Sequence, residues 1–303
     1  MKVSVIIPAY NAENYVATAI ESCLNQTWPP SEVIVVDDAS EDRTADIAGS
    51  YPSPVQVIRL VDNLGVSGAR NRGIAASTGD WIALLDADDW FLPSKLELQC
   101  RYAASNPKST LIYTGFKYIP VDGPECVVDA YPLDKLQDEL RYRPPFHTST
   151  VLIRRDVFEE IGGFDPAFRL GEDWEFWLRY LACYSVSGFG AVPGPVGIYR
   201  MLTGSLSSNP FKLFYKREEI VESRCLCGLS GPTRLAWRRK IRAFLHFDVS
   251  VALREVGCQK DLGFILKSIA LWPFPTGPVS WKRYKVVMVM LQQHLMRWIR
   301  NNG

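Results

Sequence analysis

The chain has 303 residues, 47% of them hydrophobic and 22% charged, with 34 basic side chains against 33 acidic ones. That composition supplies a core for one large domain, or one domain with an appendage, and excludes a disordered or collagen-like chain. The net charge of +1 gives no sign of a nucleic-acid partner, yet it hides an asymmetry: Met1–Pro210 has 17 Lys and Arg against 27 Asp and Glu, a net −10, whereas Phe211–Gly303 has 17 against 6, a net +11.

In chain order, Val3–Ile7 is a continuous apolar run, as expected of a strand buried on both faces of a parallel sheet, and it stops at Pro8. A helix follows over about Glu13–Leu24. Val33–Val36 is a second buried strand that runs into Asp37-Asp38, and Asp42 is placed to cap a short helix through Ile47. Val55–Leu60 is a third strand, Ser67–Ala76 a helix after Gly65, and Trp81–Leu85 a fourth strand leading into Asp86-Ala87-Asp88-Asp89. Such alternation implies an α/β, Rossmann-like doubly wound sheet, in which ligands sit beyond the carboxyl ends of the strands. Further on, Thr110–Ile119 and Thr150–Ile153 are strand-like, and Val121–Pro145 reads as a mobile connection rich in Pro and charge. Asp156 is placed to cap the helix Val157–Ile161, and a Trp-rich helix runs over about Glu172–Leu181. Val196–Tyr199 is a last short strand. From Phe211 the pattern is helical, with breaks near Gly228–Pro232, Gly257 and Pro273–Pro278. The expected division is 1–210 as an α/β domain and 211–303 as a basic helical C-terminal extension.

The seven cysteines, Cys23, Cys100, Cys126, Cys183, Cys225, Cys227 and Cys258, are odd in number and irregularly spaced, which favours reduced thiols. With His147, His246 and His294 scattered, no zinc-site spacing exists. The N-terminal MKVSVIIPAY does not read as secretory, and no apolar run reaches the roughly 20 residues needed to span a bilayer. A cytoplasmic chain is expected, at most peripheral on the inner face of the cell membrane.

The strand ends carry the chemistry. Pro8-Ala9-Tyr10-Asn11 has no glycine where a dinucleotide fold would need one, which argues against NAD or FAD. Tyr10 can cover a flat base or simply line the rim of the core. Asp37 and Asp38 can accept from a ribose hydroxyl or base N–H, or one can cap the next helix. Three carboxylates within Asp86–Asp89 repel one another; a hard divalent cation such as Mg²⁺ would relieve them, and the alternative is an exposed acidic turn. Arg70 can face a diphosphate, while Arg72 reads equally as a surface charge. Glu175 and Arg179, at i and i+4, read as an exposed ion pair. Asp173 opens a helix among aromatics, where burial and Glu172 would raise its pKa and the helix end would lower it. It reads as a general base or as a plain N-terminal acid.

Together, VSVIIPAYNAENYV at 3–16, EVIVVDDASEDRT at 32–44, NLGVSGARNRGIAASTGDWIALLDADD at 63–89 and IGGFDPAFRLGEDWEFWLRY at 161–180 resemble a family 2 glycosyltransferase of the GT-A fold, over roughly Met1–Ser207. The resemblance implies an inverting transfer from a nucleotide diphosphosugar to an acceptor hydroxyl on a glycan or lipid-linked acceptor, in cell-surface glycan or glycolipid synthesis. It further implies that Pro8, Ala9, Tyr10 and Asp38 hold the nucleoside with Arg70 nearby, and that Asp86-Ala87-Asp88 is the family's D-x-D element. Asp86 would then lie by the ribose and donor sugar, Asp88 would bind Mg²⁺ or Mn²⁺, and Asp173 would be the catalytic base. Two departures stand out. Many relatives have Y-R-x-H-x-G-S-L-S after the last sheet strand, and here Leu202 occupies the His position. The Q-x-x-R-W motif of processive synthases is absent, which favours addition of one or a few sugars. A sugar nucleotidyltransferase is the alternative enzyme class, although it would usually open with a Gly-rich loop; a non-catalytic nucleotide-sugar binder would have no need of Asp173. The extension places Arg238, Arg239, Lys240 and Arg242 near Trp237, and Lys282, Arg283 and Lys285 ahead of Val286–Leu291 with Trp298 beyond, a pattern suited either to an anionic membrane surface or to a solvated or paired basic face.

Overall fold

The structure is a computed structural model that describes residues 1–120, 124–200, 209–226, 228–255, 261–274, 284–289 and 292. Two compact units emerge: Met1–Gln137 with Pro144–Ser205, and Asp138–Arg143 with Leu206–Gly303.

The first unit is built on a mixed sheet of nine strands among the described residues, in the order β3-β2-β1-β4-β8-β6-β9-β5 with β7 beside β6. Strands β1 (Val3–Ala9), β2 (Glu32–Asp37), β3 (Val55–Arg59) and β4 (Trp81–Leu84) are parallel. Every residue of β1, β2 and β4 is buried, which is why each reads as a largely apolar run; the buried Ser4 of β1 donates to Glu32 of β2 at 2.6 Å. Helices α1 (Val16–Leu24), α2 (Thr44–Gly49) and α3 (Gly65–Ala76) connect them. Arg43, not Asp42, holds the cap position of α2, but Asp42 one residue earlier still serves the helix start, its Oδ1 accepting the Thr44 N–H at 2.9 Å. Helix α3 lies close on the sheet: a Cβ on Gly73 would come within 2.4 Å of the Ile6 side chain. That contact sets the height of Arg70, one turn earlier on the same helix.

Beyond β4 the sheet becomes antiparallel. Strand β8 (Leu152–Arg154) runs against both β4 and β6 (Leu111–Ile119), while β9 (Phe189–Arg200) runs parallel to β6 and carries the short edge strand β5 (Trp90–Phe91). Helix α4 (Lys95–Ser105) follows β5, and α6 (Arg155–Ile161) and α7 (Glu172–Tyr184) follow β8.

Four further local expectations differ from the structure. Asp156 lies in the first turn of α6 instead of at its cap and pairs with Arg154 at 2.7 Å. Strand β1 continues through Pro8 to Ala9, because its pairing with β4 ends at Ile6 and Pro8 has only Val36 of β2 as a partner. The described part of 121–145 is ordered, holding β7 (Cys126–Val128) and α5 (Leu133–Leu140). Strand β9 starts seven residues before Val196, with register shifts opposite Gly115 that accommodate its Pro and Gly residues.

The second unit is helical: α8 (Pro210–Ile220), a π turn at Val221–Cys225, α9 (Gly231–Glu255) and α10 (Asp261–Leu271). Asn209 caps α8, its Oδ1 accepting from Phe211 and Lys212 N–H with Pro210 in the first turn. Phe247 of α9 and Ile265 of α10 share one buried cluster with Val287, and Ser268 Oγ on α10 donates to the Ala243 carbonyl of α9 at 2.6 Å. The break before α9 is where Gly228–Pro232 predicts it; Gly257, most of Pro273–Pro278, Lys282, Arg283 and Trp298 lie outside the described residues. Among the described residues no helix is long and apolar enough to cross a membrane.

Candidate active site

Strand β4 delivers Asp86, Ala87, Asp88 and Asp89 to the carboxyl end of the sheet, and the structure gives the three acids different roles. Asp89 is 2% exposed and turned into the fold. Its Oδ2 accepts from Ser149 Oγ, its Oδ1 accepts the Arg200 N–H at 3.0 Å, and Ser149 Oγ in turn accepts the Asp86 N–H at 3.1 Å. Asp89 therefore ties the end of β4 to the turn before β8 and to the end of β9. Burial, with Asp86 and Asp88 beside it, raises its pKa well above the usual carboxylate range.

Asp86 faces the other way. Its Oδ1 lies 2.7 Å from Arg70 Nη2, and Arg70 Nη1 lies 2.7 Å from Glu172 Oε1 at the start of α7. The Arg70 side chain is 3% exposed and its guanidinium sits 5.2 Å from the Phe164 ring centroid. Burial opposes its charge, yet the two carboxylates raise its pKa further. Arg70 is thus a bridge between β4 and α7, with both amino groups engaged, while Arg72 is exposed.

Asp88 lies between these two networks. No donor from another described residue is bonded to its carboxylate; burial and the Asp86 charge push its pKa to about 6, and Arg200 and Arg70 oppose the shift. Arg200, at the end of β9, is held by rings: its guanidinium carbon is 4.7 Å from the Trp90 centroid and 5.3 Å from that of Tyr15. Among the described residues that guanidinium has no carboxylate partner. The sequence reading passed over Arg200 and weighed only the Leu202 position; a cation ending the sheet's last strand was the available signal. Met201 to Ser208, Leu202 included, lie outside the described residues. Behind Arg200, His147 stacks on Tyr199 at 4.1 Å and meets Phe116 edge-on at 4.4 Å, and burial lowers the His147 pKa to about 4, which keeps the ring neutral near Asp86.

Gly171, with φ +78°, turns the chain into α7 in the left-handed region, where a side chain would be strained. Asp173 follows, its Oδ1 accepting the Trp174 N–H at 2.7 Å. Burial, then the charge of Glu172, pushes its pKa to about 7, against the Trp174 N–H and Arg70. The burial and like-charge effects exceed that of the helix end. Glu175 and Arg179 pair at 2.8 Å, but Glu175 is fully buried and Arg179 also donates to the carbonyls of Ile161 and Gly163, so the pair is an internal clamp on the turn before α7.

At the nucleoside end, Pro8 and Ala9 are buried in β1 while Tyr10 is 50% exposed. Asp38 accepts the Leu64 and Gly65 N–H groups at 2.7 and 2.8 Å and so fixes the entry to α3. Its neighbour Asp37 has a buried Oδ1 without a hydrogen-bond partner among the described residues. Asp37, Ala39, Ser40, Arg59 and Leu60 line an open recess of about 420 Å³.

Among the described residues no three His, Cys, Asp or Glu side chains converge as a metal cage. What exists suits a cation shared with its ligand: one carboxylate, Asp88, without a donor, next to a second, Asp86. Mg²⁺ and Mn²⁺ take such hard oxygen donors and complete their shells with phosphate and water.

Comparison with known proteins identifies the family and the fold. The family model described as glycosyl transferase family 2 matches residues 4–162. Succinoglycan biosynthesis protein ExoO of Rhizobium meliloti is 32% identical over 301 residues, covering 92% of this chain and 84% of the relative. The putative teichuronic acid biosynthesis glycosyltransferase TuaG of Bacillus subtilis is 32% identical over 223 residues, 69% of this chain and 83% of the relative. An uncharacterised glycosyltransferase of Haemophilus influenzae is 34% identical; the chain spans 61% of its length. Among solved structures, S. aureus TarS 1-349 in complex with UDP-GlcNAc aligns over 89% of this chain and 81% of its own, with TM-score 0.64 and 20% identity. The mannosyltransferase PcManGT from Pyrobaculum calidifontis, in complex with GDP-Man and Mn²⁺, aligns over 97% and 80%, with TM-score 0.57 and 18% identity. The first unit has the GT-A fold. The chain belongs to glycosyl transferase family 2.

Proposed function

We propose that this protein transfers a sugar, with inversion, from a nucleotide diphosphosugar to a hydroxyl of a growing cell-surface polysaccharide or its lipid-linked precursor, at the inner face of the cell membrane. Residues 1–210 would act as the transferase domain and 211–303 as its extension. The observation that carries this reading is the Arg70 bridge: one buried guanidinium joins Asp86, on the acidic strand end, to Glu172, the residue before Asp173. ExoO, a succinoglycan biosynthesis protein, and TuaG, a putative teichuronic acid biosynthesis glycosyltransferase, support the acceptor class, and the donor complexes of TarS and PcManGT support the donor class.

In this reading Pro8, Ala9, Tyr10 and Asp38 receive the nucleoside. The Tyr10 ring covers the base, and the unpartnered Asp37 oxygen accepts from a base N–H or ribose hydroxyl. Asp86 and Ala87 flank the ribose and donor sugar. Asp88 would hold Mg²⁺ or Mn²⁺, which supplies neutralisation of the charge that develops on the leaving diphosphate. Arg200 offers its guanidinium donors to the same phosphates, a pairing that planar guanidinium suits. Asp173, ionised, takes the acceptor hydroxyl's proton as that oxygen bonds to the anomeric carbon, and the bond to the diphosphate oxygen breaks with its electron pair on the diphosphate. A positioned base of this kind contributes about 10²–10⁴ in rate.

The test is a panel of nucleotide sugars incubated with the protein and divalent metal, with the released products identified. Nucleoside diphosphate release with sugar transfer or leakage to water supports a transferase. Pyrophosphate release marks a nucleotidyltransferase instead, and binding without turnover marks a non-catalytic binder.

A further inference from the structure

Two sets of cations in the second unit differ in their partners. One is paired with acids of α8, the π turn and α9: Arg242 with Glu218 at 2.8 Å, Arg238 with Glu222 at 2.6 Å, and Arg217 with Asp248. These charges are neutralised within the unit. The other group, Arg141, Arg239 and Lys240, has no carboxylate partner among the described residues and gathers around two tryptophans. Lys240 Nζ lies 4.6 Å from the Trp237 ring centroid and 5.8 Å from that of Trp272, and the Arg141 guanidinium carbon lies 4.9 Å from Trp237. Arg239 is exposed and donates to the Leu271 carbonyl at 3.1 Å, which draws the end of α10 to the same place. Phe274, 64% exposed, meets Trp272 at 5.9 Å, and Leu235, 56% exposed, sits one turn before Arg239 on α9.

We infer that this face, centred on Trp237, Arg239, Lys240, Trp272 and Phe274, docks on an anionic lipid bilayer. Charge complementarity sets the sign of the partner: no Asp or Glu occurs from Ser223 to Phe247, or from Leu262 to the end of the chain. The aromatic and aliphatic groups set its kind. A soluble polyanion would answer the cations but would leave Leu235 and Phe274 in water, whereas a bilayer interface accepts Trp and Phe at headgroup depth while anionic headgroups meet Lys and Arg. Cations already seated on indole faces keep their charge outward without a carboxylate partner. Arg238 and Arg242, part of the same basic run in sequence, take no part, because Glu222 and Glu218 hold them.

The test is co-sedimentation of the full chain with phosphatidylcholine vesicles containing 0 or about 30% phosphatidylglycerol, at low and high salt and without any sugar donor, so that its result is separate from that of the transfer assay. Binding is expected only to the anionic vesicles, with release by salt. Arg239→Glu/Lys240→Glu should need at least about tenfold more anionic lipid, and Phe274→Ala severalfold more. The control pair Arg101→Glu/Lys108→Glu, on the first unit, should bind as wild type. Melting curves identify any variant that fails to fold. Absence of binding at low salt, equal binding by wild type and a folded Arg239→Glu/Lys240→Glu, or retention on a soluble acidic polysaccharide without vesicle binding would each overturn the inference.

Discussion

Arg70 holds Asp86 at 2.7 Å with a side chain that is 3% exposed, and its other amino group holds Glu172 at the same distance. A single residue of α3 therefore joins the two segments that bear the candidate donor site and the candidate base. Arg70→Met would leave two carboxylates facing each other without their cation. Loss of one partner from such a buried network costs about 3–5 kcal/mol, somewhat less here because Asp86 is partly exposed. Urea denaturation should show that loss. Arg70→Lys, with a point charge in place of a two-armed fork, should recover part of the stability and little of the transfer rate.

Asp88 and Asp89 are adjacent, yet their variants should fail in different ways. Asp89→Ala strands the Ser149 hydroxyl and the Arg200 N–H, so it should unfold about 1–3 kcal/mol more easily. Asp88→Asn removes a carboxylate that no other described residue's donor reaches, so its melting temperature should hold. Its nucleoside diphosphate binding in the presence of Mn²⁺, measured by calorimetry, should weaken markedly.

Arg200→Gln keeps the backbone N–H that Asp89 needs and removes only the guanidinium beside Asp88. Charge-assisted hydrogen bonds are worth about 1.5–3 kcal/mol, so nucleoside diphosphate affinity should fall roughly ten- to hundredfold. A nucleoside lacking phosphates should bind wild type and variant alike, which direct titration can check.

Lys95 offers a stability test remote from catalysis. It is fully buried, donates to Gln99 Oε1 at 2.8 Å and the Val151 carbonyl at 3.3 Å, and burial lowers its pKa to about 7. Unfolded lysine titrates near 10.4, so between those values the unfolded chain binds the extra proton. The Lys95 contribution to stability should therefore rise as pH increases from about 7 towards 10. Lys95→Met should flatten that dependence in denaturant titrations across the range.

The parallel half of the sheet was legible because β1, β2 and β4 are buried along their whole length and read as largely apolar runs, two of which lead directly into Asp. The other half was harder. Strand β9 crosses Pro193, Gly194, Pro195 and Gly197, residues that argue against a strand locally, and only the bulged pairing with β6 accommodates them. Periodicity also cannot say which acid in Asp86–Asp89 turns inward; the partners of Asp89 come from residues 149 and 200, far along the chain. For the same reason Arg238 and Arg239 look alike in sequence, although Arg238 is paired with Glu222 and Arg239, among the described residues, with the Leu271 carbonyl alone.

The account turns on Asp173. Burial and Glu172 raise its pKa to about 7, and a base must be ionised to act, so kcat/KM should rise with pH and level off above about 7. The same shift has the opposite sign for stability: an unfolded Asp ionises near 3.9, so between there and 7 the folded chain binds the extra proton and loses stability as pH rises. The most direct measurement pairs transfer rate, donor binding and melting temperature for Asp173→Asn at pH 8. The account predicts a rate lower by about 10²–10⁴, unchanged nucleoside diphosphate affinity, and a melting temperature no lower than wild type. Turnover close to wild type in that variant would contradict it.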